Sequence, residues 1–111
     1  MKWLAIVLVV GCVEPQTIDQ ATCPPSSSLT YANFGKRFLD DRCQWCHRSD
    51  VTDRHGAPPE IVFDTLDDVH EHLERIYLRA AGPNTTMPPG PDDPPADERA
   101  QLAEWLSCGA P

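Results

Sequence analysis

Basic residues are scarce in this chain. Nine lysines and arginines stand against seventeen aspartates and glutamates, a formal charge of −8. That balance excludes nucleic acid as an expected partner, because a polyanion needs a basic surface. Long apolar runs are missing too. None approaches the roughly eighteen residues that cross a bilayer as a helix. No internal repeat is present, and only residues 60–63 have strand character. Aromatic residues make up 7% of the chain, and methionine occurs twice, once as Met1. The 111 residues allow one domain. A domain so small buries a modest core and often needs a staple. Proline and cysteine, by contrast, are plentiful. Twelve prolines point to short helices joined by long, stiffened loops. Five cysteines point to a covalent or metal-based staple.

The N-terminus reads as an address. Lys2 precedes an apolar run at residues 3–10, and Gly11-Cys12 follows directly. Such a run is too short to anchor in a membrane and matches the h-region of a signal peptide. Its ending, Val9-Val10-Gly11-Cys12, resembles the bacterial lipobox. The resemblance implies cleavage after residue 11 and a lipid on the Cys12 thiol. An ordinary secretory signal with an incidental cysteine is the competing reading. Either way the mature chain is exported and disulfide-permissive. The expected location is a bacterial membrane, facing the periplasm or the cell exterior and held by lipid on Cys12. Residues 12–28, without periodicity and rich in Pro, Ser, Thr and Gln, read as a tether with one anchored point at Cys23. Residues 29–111 form the domain.

Three helical patterns follow, so the expected class is all-α. Tyr31, Phe34, Gly35, Phe38 and Leu39 share one helical face, with Ser28 or Thr30 as N-cap. Leu66, Val69, Leu73, Ile76 and Ala80 step by 3, 4, 3 and 4, starting from Asp64 as N-cap and ending at Gly82-Pro83. The last helix starts near residues 95–97, carries Leu102, Trp105 and Leu106 on one side, and has Gly109 just past its end. Asp67, Asp68, Glu71 and Glu74 read as the solvated face of the middle helix. Asp92, Asp93, Asp97 and Glu98 lie at or before a helix N-terminus, where the dipole favours them. A functional reading of the same acidic residues is steering toward a basic partner.

Cys43-Gln44-Trp45-Cys46-His47 is C-x-x-C-H, the attachment signature of c-type haem. On one helical turn, two cysteines three apart reach the two vinyl groups of a porphyrin, and the next residue sits beneath the iron as proximal ligand. A thioredoxin-like redox pair is one rival, but it needs a βαβ context that the pattern lacks. A zinc site is another, but two further ligands at zinc-finger spacing are missing. Haem iron takes a second axial residue, most often Met or His in electron carriers. Met87 is the methionine that remains after signal cleavage. It lies in Thr85-Thr86-Met87-Pro88-Pro89-Gly90, where two prolines stiffen the backbone that presents its thioether. The competitors are His55, His70 and His72, each read as a solvated histidine.

Over about residues 28–110 the chain resembles a small class I cytochrome c of a bacterial lipoprotein subgroup. Gly35 and Leu39 stand two turns and one turn before Cys43, as in that family, and Leu102 and Trp105 match its C-terminal helix. The resemblance implies a cytochrome c fold, three main helices and long loops around one covalent haem c. It implies close crossing of the terminal helices at Gly35, and a proximal His47 whose Nδ1–H is accepted by a proline carbonyl, from Pro58 or Pro59. With Cys12 lipidated and Cys43 and Cys46 on haem, Cys23 and Cys108 remain. Since the terminal helices touch in that fold, these two are expected to form a disulfide. The implied activity is electron transfer to redox protein partners. His47 and Met87 hold the iron, and Phe34, Phe38, Leu73 and Trp105 pack on the porphyrin; no catalytic residue is expected. The alternative is a haem enzyme or gas sensor, such as a peroxidase-like module, with a displaceable sixth ligand. A structural subunit of a respiratory assembly is a third reading.

Overall fold

The computed structural model describes residues 13–111. The signal peptide expected at residues 1–11 and the lipidation expected at Cys12 lie outside them. Among the described residues there are five α-helices and no strand, an all-α arrangement. Residues 60–63 run as an irregular segment instead of a strand. A π-helical turn, Tyr31–Gly35, leads into α1 (Lys36–Arg42). It starts at Thr30, which accepts from the Asn33 N–H at 3.1 Å while the Asn33 carboxamide accepts from the Thr30 N–H at 2.7 Å. This reciprocal cap satisfies two of the N–H groups that a helix start leaves unpaired.

α2 (Gln44–His47) follows α1 with only Cys43 between them. The middle pattern is split into α3 (Leu66–Glu71) and α4 (Leu73–Ala80), with His72 at the break. The cap of α3 is Thr65 and not Asp64. Thr65 accepts from the Asp68 N–H at 3.2 Å, and Asp68 accepts from the Thr65 N–H at 2.9 Å. Asp64 is occupied elsewhere: its carboxylate accepts from the Ser49 N–H at 2.9 Å and from the Ser49 hydroxyl. α5 (Ala96–Ser107) begins after Pro95. It ends at Gly109, whose φ of 86° lets the Ala110 N–H fold back onto the Trp105 carbonyl at 2.9 Å.

The core gathers Phe38 and Leu39 of α1, Val69 of α3, Ile76, Tyr77 and Ala80 of α4, and Leu102, Trp105 and Leu106 of α5. Val69, Leu102, Trp105 and Leu106 are 0% exposed. The π-helical turn approaches α5 so closely at Gly35 that a Cβ there would overlap the Trp105 ring. Gly35→Ala should therefore destabilise the protein by about 1–3 kcal/mol, the range for overpacking. At an ordinary helical site the same change stabilises by roughly 0.5–1 kcal/mol. The sign of the shift in urea midpoint decides the matter: an upward shift would mean that the helices do not meet at Gly35.

The segment read as a tether with one anchored point is attached at several. Residues Ile18–Gln20 form a 3₁₀ turn, and Ile18 packs against the core. The Tyr77 hydroxyl donates to the Pro15 carbonyl at 3.4 Å, and the Asn84 amide donates to the Gln16 carbonyl at 2.8 Å. Cys23 is bonded to Cys108 at the end of α5, with Cα atoms 4.7 Å apart. A bond between such distant segments belongs to an oxidising compartment. Among the described residues, no helix is long and apolar enough to cross a membrane.

Candidate functional site

The C-x-x-C-H residues lie on α2. The Cys43 N–H donates to the Leu39 carbonyl at 2.8 Å, so α1 hands the chain on without a loop. The Cys46 and His47 N–H groups then both donate to the Cys43 carbonyl, at 3.2 and 3.0 Å. This single turn gathers both thiols and the imidazole. Trp45 points to solvent at 76% exposure, whereas Gln44 is buried and donates to the Phe63 carbonyl at 2.5 Å. The two thiols are free, not joined to each other. The sulfur of Cys43 is surrounded by enough protein that desolvation pushes the thiol up to about 12, reinforced by the neighbouring Cys46. A thioredoxin-like nucleophile needs the opposite shift, because its thiolate is the reactive form.

His47 is oriented by the chain around it. Its Nδ1 lies 2.9 Å from the Ile61 carbonyl oxygen. A carbonyl only accepts, so Nδ1 carries the proton and Nε2 keeps its lone pair. The acceptor is thus Ile61, not the expected Pro58 or Pro59. The Ile61 N–H turns back onto the Pro58 carbonyl at 3.1 Å, and that carbonyl also accepts from Arg54 at 2.9 Å. The turn leaves the Ile61 oxygen facing the ring. Phe63 lies on the other side, with ring centroids 4.7 Å apart, and its N–H donates to the His47 carbonyl at 3.0 Å. Burial pushes the imidazole below its usual range; the Ile61 contact opposes that, and the charges of Arg54 and His72 add to it. The ring is neutral at neutral pH, the form that binds a metal.

Met87 sits in the loop between α4 and α5, at 37% exposure. Its N–H donates to the Arg79 carbonyl at 2.8 Å, and its own carbonyl accepts from Arg99 at 2.8 Å. These bonds hold the backbone and leave the thioether free. They tie Met87 to α4 and α5, while Cys43, Cys46 and His47 are held by α1 and by residues 61–63.

Arg99 holds the loop that carries Met87. It is 3% exposed, and its Nη1 donates to the carbonyls of Ala80, Asn84 and Met87 at 2.8–2.9 Å. Its charge is also felt at the Cys43 thiol. The buried Nη2 has no partner among the described residues. A buried N–H donor of a cation is costly to leave unpaired, which suits an anionic group bound beside it. The sequence reading passed over Arg99. The signal was there: with Leu102 and Leu106 it forms an i, i+3, i+7 face, so a cation stands in an apolar stripe.

The other histidines are placed differently. His70 Nε2 lies 2.8 Å from the Ala110 carbonyl and is engaged there. His55 packs edge-on against Trp45, with centroids 5.5 Å apart. The His72 ring lies edge-on to that of Phe63, with centroids 6.0 Å apart. An open cleft of about 610 Å³ runs from His70 to Leu78 past His72 and Leu73; neither Cys43, Cys46 nor Met87 lines it. Of the residues expected to pack on a porphyrin, Trp105 is fully buried beneath Gly35, Phe38 is buried, and Phe34 and Leu73 are half-buried. Two free thiols on one turn, an imidazole locked in one tautomer and an unpaired buried guanidinium N–H are a donor set that fits a covalent haem with acidic side chains. No family model, curated protein or solved structure matches the chain.

Proposed function

We propose that this chain is a small class I c-type cytochrome, an exported electron carrier held at a bacterial membrane by lipid on Cys12. The observation that carries the reading is the tautomer lock on His47: within C-x-x-C-H, Nδ1 is tied to Ile61 and Nε2 is left as a ligand. Cys43 and Cys46 would hold the porphyrin through thioethers, and His47 and Met87 would hold the iron. The bound group supplies a one-electron ferric–ferrous couple. The protein does the rest. Ile61 fixes the ring, and Arg79 and Arg99 fix the loop that carries Met87. A thioether ligand together with imidazole would favour the ferrous state. With Lys2 lost in the signal, eight basic residues face seventeen acidic ones, and the carrier suits redox partners that present a basic surface.

The test is direct. The mature protein, made with a cytochrome c maturation system, should keep its colour on the polypeptide through acid–acetone extraction. Colour that passes into the solvent would overturn covalent attachment. The oxidised protein should show the long-wavelength iron–thioether charge-transfer band.

A further inference from the structure

The loop between α2 and α3 is built around one cation. The Arg54 guanidinium donates to the carbonyls of Arg48 at 2.9 Å, Pro58 at 2.9 Å, Ile61 at 3.0 Å and Ala57 at 3.4 Å. Among the described residues no carboxylate lies within ion-pairing distance of it. Its charge is therefore not neutralised by a close partner, although it is felt at Asp64 and at His47. One of its bonds matters more than the others. The Ile61 oxygen that accepts from Arg54 Nη2 is the same atom that faces His47 Nδ1 at 2.9 Å. A carbonyl oxygen has two lone pairs, and here one faces an imidazole N–H and the other a cation.

We propose that Arg54 is a positioning residue that holds the iron couple toward its ferrous state by sharing the Ile61 carbonyl with His47. The inference rests on the haem reading above. Two effects act with the same sign. A carbonyl polarised by a guanidinium draws less on the imidazole N–H, so the ring is a weaker electron donor through Nε2. An uncompensated positive charge beside the proximal ligand also disfavours the extra charge of ferric iron. A loop staple alone would do neither.

The experiment is potentiometry on the haem-loaded full chain with R54Q, R54K and R54H. R54Q should raise the ferric-to-ferrous ratio at fixed poise by about tenfold, which is about 59 mV for a one-electron couple. R54K, which keeps the charge but not the fork, should stay within about twofold of wild type. R54H makes the same comparison on one folded protein: its potential should fall further than that of wild type as the new imidazole loses its proton near pH 6.5. An unchanged potential in R54Q, a shift in R54K equal to that in R54Q, or an R54H profile parallel to wild type would overturn the proposal. If R54Q does not fold, R54H and R54K decide the question. A colourless wild type overturns the haem reading and this proposal with it, whereas a coloured wild type with insensitive variants overturns this proposal alone.

Discussion

Replacing both Cys23 and Cys108 with serine should cost the folded protein about 3–5 kcal/mol. The bond joins residues 85 apart in sequence. In the chain-entropy account, closing a loop of that size removes on the order of 4–5 kcal/mol of freedom from the unfolded chain. Small domains hold only about 5–15 kcal/mol in total, so the loss is a large fraction. The location adds to it. Cys108 caps α5, whose Trp105 and Leu106 lie in the core, and Cys23 holds the segment whose Ile18 packs against that core. The double variant avoids a stray thiol and its side reactions. Urea unfolding followed by circular dichroism should show a lower midpoint, and the slope should rise because the uncrosslinked chain exposes more surface. A midpoint unchanged from wild type would mean that the bond adds nothing to folding.

Met87→Ala should change the chemistry of the site while leaving the fold in place. The side chain is 37% exposed, so its truncation removes little buried surface. The loop itself is held by the backbone bonds to Arg79 and Arg99, which alanine keeps. On the proposed reading the variant loses its distal ligand. Its charge-transfer band should vanish, its ferrous form should bind carbon monoxide, and its potential should fall. Axial ligands move haem potentials over about 0.8 V, so a drop on the order of 0.1 V or more is expected. Met87→His should lose the band too but refuse carbon monoxide. Should the wild type bind carbon monoxide as readily as Met87→Ala, the carrier reading gives way to the enzyme or sensor reading.

The helices were legible because their signals are local. Thr30, one of two candidate caps, the apolar stripe through Val69, Ile76 and Ala80, which the structure divides at His72, and Gly109 past α5 each act within a turn or two of chain. The meeting of Gly35 with Trp105 was expected from family resemblance, and the overlap of a Cβ with the ring accounts for it physically. The start of α3 was misplaced by one residue because Asp64 and Thr65 are both good caps. The choice between them is made by Ser49, which comes from a different turn and takes the Asp64 carboxylate.

The sequence alone determined the all-α class and the turn that carries Cys43, Cys46 and His47. Helical periodicity and the C-x-x-C-H spacing are short-range patterns, and short-range patterns need no tertiary information. Cysteine arithmetic left Cys23 and Cys108 over, but only the folded chain brings them to bonding distance. The fold alone also decided which carbonyl holds His47, which cation holds Met87 and how far the N-terminal segment is tied down. Each of those depends on a backbone carbonyl exposed by an irregular loop: Ile61 to His47 and Arg54, Met87 to Arg99, and Pro15 to Tyr77. Every residue carries such a carbonyl, so residue identity cannot mark the one that will be used. Its direction is set by the backbone dihedrals of the loop, and those are settled only when the surrounding helices pack.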